Sequence, residues 1–342
     1  MKRILCFLII ALLLTSCNGY RLNYDKGIIP PVPVNFSSVN SSYDDYNSNL
    51  QISWTEMYFS LIFSTNRNSA GNDFDFVYYK GHIMFELLDG VFEMNTSAEE
   101  NSLLETVNSS NNELGPYFTS DYPYPFYWYK STGDESFLFS TKPLPPDQRF
   151  FYSSDPDGNL DIYCCSYEFG GDVFDPVGEP FALTPLNTEH NEGYLSIHGG
   201  AVENRETVWF MSDRDGSYDL YSATGEEGKL ISESATVTVT RSSLLSSSAD
   251  DKCPYICGNM MIFTSDREGG FGGFDLWYSV FDGQQWSAPA NMGSEINTEY
   301  DEYRPVVVST GESYINDLMV FSSNRPGGKG GFDLYYAGVP KR

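Results

Sequence analysis

The chain has 342 residues and a formal net charge of −27 at pH 7, and 41% of its residues are hydrophobic. Such a charge repels nucleic acid and anionic lipid head groups, so neither is expected as a partner of the folded domain. Aromatic residues make up 16% of the chain, which favours sheets over helices. No long stretch has convincing helical periodicity, and residues 97–110 are the only candidate for a helix.

The N-terminal segment has the features of a bacterial lipoprotein signal. Lys2 and Arg3 precede an uncharged apolar run of about a dozen residues, which is too short to cross a bilayer. The run ends in Leu-Thr-Ser-Cys at residues 14–17, which resembles the lipobox. The resemblance implies a signal peptide over residues 1–16, lipidation of Cys17 and a lipidated tether over residues 17–31. It predicts an outer-membrane protein held by its lipid and leaves open which membrane face carries it.

Five copies of one hairpin motif follow. Each copy is a β-forming run, a turn rich in Gly, Asp and Asn, and a second β-forming run that opens on an aspartate. The clearest copies are FTSDREGGFGGFDLWYS from Phe263 and FSSNRPGGKGGFDLYYA from Phe321. Because one aspartate recurs in every copy, its predicted role is structural. The strand-opening aspartates are Asp75, Asp161, Asp219, Asp275 and Asp333.

An acidic motif and an extended strand precede each hairpin, as in NTEHNEGYL from Asn187, and a further strand such as WSAPANM at residues 286–292 follows it. Each unit therefore supplies four strands, and such a unit repeated around an axis is a propeller blade. The units resemble the WD-repeat-like β-propeller repeats of TolB-type proteins. The predicted fold is all-β, a single propeller over residues 32–342 with an insertion around residues 80–150. We expect five four-stranded blades, or six if the insertion contains a degraded one.

The two ends of the chain are expected to share one blade. Residues 33–40 resemble residues 289–297, which are the outermost strand of one blade running into the next. The chain ends just after a third strand, so the last blade lacks its fourth. We predict that the N-terminal strand completes it and closes the ring, which also removes an exposed sheet edge.

Blade topology places the acidic motifs and the hairpin turns on one face. The arginines of the hairpin turns, Arg67, Arg214, Arg267 and Arg325, belong there too, whereas copy two has Asp155 and Pro156 instead. These groups either pair within and between blades or form an acidic mouth for a basic or metal-bridged partner. The carboxylates of this face are Asp44, Asp45, Glu113, Glu189, Glu192, Asp250, Asp251, Asp301 and Glu302.

The insertion is the least repetitive part of the chain and is dense in aromatic residues, which favours contact with a partner or a sugar. The candidate partner-binding residues are Tyr122, Tyr124, Phe126, Tyr127, Trp128, Asp301 and Glu302.

No cofactor or metal site is predicted. Cys164, Cys165, Cys253 and Cys257 have neither zinc-like spacing nor easy local disulfides, so we expect mostly free, buried thiols. The hairpin loops from Asp155 and Asp213 have oxygen atoms at alternate positions, as calcium loops do, but lack the final glutamate.

The resemblance to TolB-type proteins implies a surface for protein–protein contact in the cell envelope. The main hypothesis is therefore a lipid-anchored binding or scaffolding module that is not an enzyme. Its expected partners are envelope proteins, as part of an outer-membrane complex. The alternatives are a glycan-binding accessory lipoprotein and a propeller glycosidase. A glycosidase needs two or three converging carboxylates, and the sequence singles out none.

Overall fold

The computed structural model describes residues 23–53, 57–118, 148–170, 173–199, 205–226 and 236–341. This part of the chain forms five four-stranded antiparallel sheets. The first strands of the five sheets pack against one another in cyclic order, so the sheets surround a central axis. The predicted five-bladed β-propeller is confirmed.

From the axis outward, blade one consists of β2 (Asp45–Ser53), β3 (Tyr58–Thr65), β4 (Asp75–Glu86) and β5 (Val91–Glu99). Blade two consists of β6 (Glu113–Phe118), β7 (Gln148–Ser154), β8 (Asp161–Gly170) and β9 (Val173–Ala182). Blade three consists of β10 (Glu192–Gly199), β11 (Arg205–Ser212), β12 (Asp219–Glu226) and β13 (Val239–Arg241). Blade four consists of β14 (Asp251–Cys257), β15 (Met260–Ser265), β16 (Asp275–Val280) and β17 (Ala290–Asn291). Blade five consists of β18 (Glu302–Val308), β19 (Asn316–Ser323), β20 (Asp333–Pro340) and β1 (Val34–Asn35).

The N-terminal strand closes the ring as predicted. Val34 of β1 pairs with Tyr336, and Asn35 pairs with Tyr335, both in β20. The buried Asn40 side chain accepts the backbone N–H of Leu334 at 2.9 Å and donates to the carbonyl of the same residue at 2.9 Å. One side-chain amide thus satisfies both backbone polar groups of Leu334 in blade five, across the closure.

The same amide bridge explains the asparagine of the repeated acidic motif. The residue at this position reaches back to the third strand of the preceding blade and bonds both the N–H and the C=O of one residue there. Asparagine does so in four junctions and serine in the fifth: Asn40, Asn108, Asn187, Ser246 and Asn297.

The expected helix is shorter than the sequence pattern suggests. Helix α1 (Ser102–Val107) lies between blades one and two and buries Leu103, Leu104 and Val107. Asn101 caps it, because the Asn101 side chain accepts the backbone N–H of Leu103. The helix packs against β9, at the rim of blade two.

Candidate functional site

Each innermost strand bends at its third residue. These residues have a positive φ in all five blades, and the pairing with the second strand slips in register just after them. The bulge residues are Asn47, Gly115, Tyr194, Cys253 and Arg304. The side chains of this set fill the centre of the ring, where Arg304, Tyr194, Asn47 and Cys253 are all buried.

Arg304 spans the axis. Its Nη1 donates to the carbonyl of Pro254 at 3.4 Å and its Nη2 to the carbonyl of Pro116 at 3.1 Å, so one side chain joins blades five, four and two. Its guanidinium carbon lies 5.4 Å from the ring centre of Tyr194 and 5.6 Å from that of Tyr255. Burial lowers the pKa of Arg304 and raises the pKa of the Cys253 thiol beside it to about 12, so that thiol is neutral.

On the hairpin side of these buried residues, partly exposed side chains surround the axis, and we term this set the axial funnel. It is lined by half-buried residues from two positions of the repeat: the residue that precedes each strand-opening aspartate, and the second residue of four of the five innermost strands, blade three having the buried Gly193 there. The funnel residues are Phe74, Leu160, Tyr218, Phe274, Phe332, Tyr46, Leu114, Lys252 and Tyr303.

Aromatic rings form a continuous arc around the funnel. Tyr46 lies 4.9 Å from Phe74 and 5.7 Å from Phe332, measured between ring centres. Tyr303 continues the arc, 6.5 Å from Phe332 and 5.7 Å from Phe274. These rings come from three consecutive hairpins and two inner strands, so the arc exists only in the closed ring.

Lys252 completes the arc with a cation. Its Nζ lies 4.3 Å from the ring centre of Tyr218 and 4.7 Å from that of Phe274. The same Nζ is 2.9 Å from Asp250 Oδ2, and the backbone N–H of Asp250 donates to Asp266. The ammonium group therefore neutralises Asp250.

The predicted acidic mouth consists of two layers with different roles. The first residue of each innermost strand is a fully buried carboxylate, and four of the five are paired with the arginine of the same blade's hairpin. These carboxylates also accept a backbone N–H four residues earlier in the chain. They are Asp45, Glu113, Glu192, Asp251 and Glu302. Glu302, a candidate partner-binding residue, is thus inaccessible to a partner.

The second layer joins adjacent blades through hydrogen bonds. In each such junction, which we term a latch, a side-chain oxygen just before the innermost strand accepts a backbone N–H from the hairpin of the preceding blade. Asp301 Oδ1 accepts the backbone N–H of Phe274, and its Oδ2 accepts from the amide of Asn324. Asp44 accepts the backbone N–H of Phe332 in the same way. Asn112 and Asn191 occupy the corresponding positions of blades two and three. Glu189 is exposed and lies outside these latches.

The strand-opening aspartates also hold local structure. Asp219 accepts two hydrogen bonds from Arg241, and Asp275 accepts from Phe271 and Asn291. Asp333 accepts from Lys329, Gly330 and Asn35. The charges of Asp161 and Asp75 are less well compensated, and burial raises the pKa of both carboxyl groups. The pKa of Asp161 rises to about 6, because the nearby charges of Glu192 and Asp157 add to the effect of burial.

Several predicted residues lie outside the described part of the chain. They are Cys17, Tyr122, Tyr124, Phe126, Tyr127 and Trp128. In the described part of the chain Cys164, Cys165, Cys253 and Cys257 form no disulfide bond with one another, and the first three are buried. Among the described residues, no group of three His, Cys, Asp or Glu side chains is arranged to hold a metal ion. No helix within the described ranges is long and apolar enough to cross a membrane.

The funnel was missed in the sequence, although its signal is present. Four of the five strand-opening aspartates follow an aromatic residue, and the fifth follows Leu160. That recurrence alone does not predict the funnel, because periodicity within a blade does not reveal which side chains reach the axis.

Comparison with known proteins supports the fold. No protein-family profile and no curated protein matches the chain. Among solved structures, an endo-arabinase from Bacteroides thetaiotaomicron matches with a TM-score of 0.53 and 12% identity, over 93% of this chain and 98% of that chain. An α-L-arabinofuranosidase from Podospora anserina in complex with cellotriose gives 0.50 and 10%, over 93% and 98%. A β-fructofuranosidase from Schwanniomyces occidentalis complexed with fructosyl-erythritol gives 0.52 and 11%, over 92% of this chain and 60% of that chain.

These matches correct the main functional hypothesis. The scaffolding module that is not an enzyme was the wrong first choice, because an arabinofuranosidase and an endo-arabinase, both glycoside-cleaving enzymes, each match 93% of this chain. They favour the alternative of a propeller glycosidase. At this level of identity they establish the propeller architecture alone. They give no support to the TolB-type or lipoprotein resemblance, and both stay predictions.

Proposed function

We propose that the protein is a propeller glycosidase that binds its glycan in the axial funnel. The observation that carries the proposal is the arc of half-buried aromatic rings on the axis of a five-bladed propeller. Ligand sites are concave and mostly apolar, with a few polar groups that fix orientation. Sugar rings have apolar C–H faces that stack on aromatic rings, and hydroxyl groups that bond to polar groups at the edge.

The funnel also has polar groups suited to hydroxyl recognition. Burial, with Asp213 and Asp250 adding to it, raises the pKa of Tyr218 to about 12, so its phenol is a hydrogen-bond donor at neutral pH. Burial likewise raises the pKa of Tyr46 and Tyr303. Lys252 adds a cation between two rings.

Glycoside hydrolysis needs one carboxyl group as acid and another as base or nucleophile. Asp44 and Asp301 are the carboxylates that we assign to these roles. Both are partly exposed, and each lies two residues before a funnel tyrosine, on the same side of the chain. Asp44 is close enough to contribute to the raised pKa of Tyr46. In the described part of the chain Asp44 Oδ2 has no hydrogen-bond donor, so this oxygen is available to a substrate.

The test is a hydrolysis screen on arabinofuranosides, arabinan and fructans, with glycan affinity measured by calorimetry. Replacing the funnel ring in Tyr303→Ala is expected to weaken glycan binding about tenfold, which corresponds to ~1.4 kcal/mol, because a stacking surface is lost. Tyr303→Phe keeps the ring and is expected to stay within about threefold. Tyr300→Ala is the matched control, since Tyr300 is on the same face but exposed. Equal losses in Tyr303→Ala and Tyr300→Ala, or no glycan bound or cleaved, would overturn the proposal.

We also propose that Cys17 carries a lipid and that the funnel faces away from the membrane. The support for lipidation is the lipobox-like sequence at residues 14–17. The support for orientation is the path of the chain: the N–H groups of Asn23 and Tyr24 donate to Leu87, and Lys26 pairs with Glu312. Leu87 and Glu312 lie in loops on the face opposite the funnel.

Lipidation makes a direct prediction. The Cys17→Ser variant is expected to move from the membrane fraction to the soluble fraction and to lose incorporation of labelled palmitate. A soluble wild-type protein, or a variant that stays with the membrane, would exclude the lipid anchor.

A further inference from the structure

In four blades the arginine of the hairpin turn lies in the same environment, which we term the slot. Blade five illustrates the groups that form it. Arg325 Nη2 donates to Glu302 Oε1 at 2.9 Å and to the carbonyl of Ile296 at 2.7 Å, and its Nε donates to Ser323 Oγ at 3.1 Å. The guanidinium carbon lies 5.2 Å from the ring centre of Phe321 and 5.0 Å from that of Tyr335.

Blades one, three and four repeat the arrangement with Arg67, Arg214 and Arg267. In each of them the arginine meets a buried carboxylate, a hydroxyl group, a backbone carbonyl and at least one aromatic ring. The slot is therefore a recurring guanidinium receptor within the chain.

Blade two has the same surrounding groups but no arginine. Its hairpin has Pro156 where the other blades have arginine. The carboxylate is Glu113, and Ser154 Oγ donates to it at 3.1 Å, as Ser323 Oγ does to Glu302 at 3.1 Å. The stacked ring pair is Tyr152 and Tyr163, with centres 5.6 Å apart and planes at 25°. The equivalent pair in blade five is 6.1 Å apart at 27°.

Glu113 differs from its four counterparts in charge compensation. It is fully buried and accepts from the N–H and hydroxyl of Ser109 and from Ser154. No cationic side chain of the described residues lies within 4.0 Å of it. Burying a carboxylate without a cation is energetically unfavourable. In the other four blades the cation beside this carboxylate is a guanidinium group, whose planar arrangement of N–H donors matches a carboxylate.

We propose that blade two binds a guanidinium group from another molecule, over the rings of Tyr152 and Tyr163 and against Glu113. Entry is open in the equivalent slots, because the four arginine side chains stay 13 to 20% exposed. The site is at the rim of the hairpin of blade two, separate from the axial funnel, and does not depend on the proposed hydrolysis.

The experiment uses the intact protein and low millimolar guanidinium chloride, far below denaturing concentrations, against equal sodium chloride. The melting temperature of the wild type is expected to rise with guanidinium and to stay constant with sodium, because the ligand binds the folded state. Pro156→Arg supplies the missing side chain within the chain, as in the other four blades. It is expected to melt at a higher temperature than wild type and to lose the response to guanidinium.

Further arms identify the source of the group. Free L-arginine and the peptide Gly-Gly-Arg are compared by calorimetry with L-citrulline and Gly-Gly-citrulline, which have the same shape without the charge. Binding of arginine and not citrulline supports the slot, and at least tenfold tighter binding of the peptide assigns it to an arginine side chain of a polypeptide. Glu113→Gln is expected to abolish binding and serves if Pro156→Arg does not fold. No guanidinium binding by the wild type, or equal binding by wild type and Glu113→Gln, overturns the proposal.

Discussion

Replacing Glu192 with glutamine is expected to lower the free energy of unfolding by about 2 kcal/mol, whereas the same replacement at Glu113 is expected to stabilise the protein at neutral pH. The two carboxylates are equivalent in their blades and both are fully buried. Glu192 accepts from Arg214 Nη2 at 3.0 Å, so its loss leaves a largely buried guanidinium without its partner. Glu113 has no such cation in the described chain, so its neutral form is the less costly one to bury.

The pH dependence follows from the same difference. Burial raises the pKa of Glu113 above its usual 4.5, with the nearby charge of Asp75 adding to the effect. A carboxyl group whose pKa is raised by folding binds more protons in the folded state, so it favours folding at low pH. Stability is lost as the pH rises from about 4.5 through the raised pKa. Wild type should therefore lose stability across this interval relative to Glu113→Gln.

The measurement is urea unfolding of wild type, Glu113→Gln and Glu192→Gln at several pH values between 4 and 8. Subtracting Glu113→Gln from wild type isolates one group, because the other carboxyl groups with raised pKa, such as Glu302, are common to both proteins. Glu192→Gln also removes a charge that raises the pKa of Asp161, so its difference from wild type contains both groups. A Glu113→Gln protein that is less stable than wild type at neutral pH, by as much as Glu192→Gln, would show that the two sites are equally compensated.

The fold could be predicted from the sequence because each repeat encodes its own blade and its junction. Asn187 and Asn297 recur because each hydrogen-bonds both the N–H and the C=O of one residue in the preceding blade. Residues 33–40 resemble the end of a blade because they are one, paired with β20. Blade number was harder to predict, as β6 is separated from β7 by residues 119–147.

The site could not be predicted in the same way, because identical patterns serve opposite environments. Asp301 and Glu302 are adjacent in sequence, yet strand alternation leaves Asp301 partly exposed and buries Glu302 against Arg325. The rings of the funnel come from separate blades, and only closure of the ring brings Phe74 and Phe332 to the same tyrosine. Function requires the relation between blades, which a repeat does not encode.

Moving one carboxylate while keeping its latch is expected to reduce glycoside hydrolysis by about 10² to 10⁴-fold. The double variant Asp44→Asn with Asn66→Asp gives blade one the arrangement already present in blade two, where Asn112 donates to Asp155. The amide introduced by Asp44→Asn would still accept the N–H of Phe332, as Asn112 accepts that of Phe74. Net charge is unchanged, so a loss of turnover reports the position of the carboxylate.

The corresponding exchange in blade five is Asp301→Asn with Asn324→Asp, which reverses the donor and acceptor roles of the two side chains.

The matched control is the reverse exchange in blade two, Asn112→Asp with Asp155→Asn, which converts that junction to the form of blade one. It alters the same kind of latch at a position to which no catalytic role is assigned, so hydrolysis is expected to stay within about twofold of wild type. The readouts are the turnover number on the substrate found in the screen, glycan affinity and melting temperature. Because the latch is conserved in every variant, affinity and melting temperature should change little while turnover falls for the blade-one and blade-five exchanges. Unchanged turnover in both of these would remove Asp44 and Asp301 from the reaction, since neither carboxylate could then be the acid or the base.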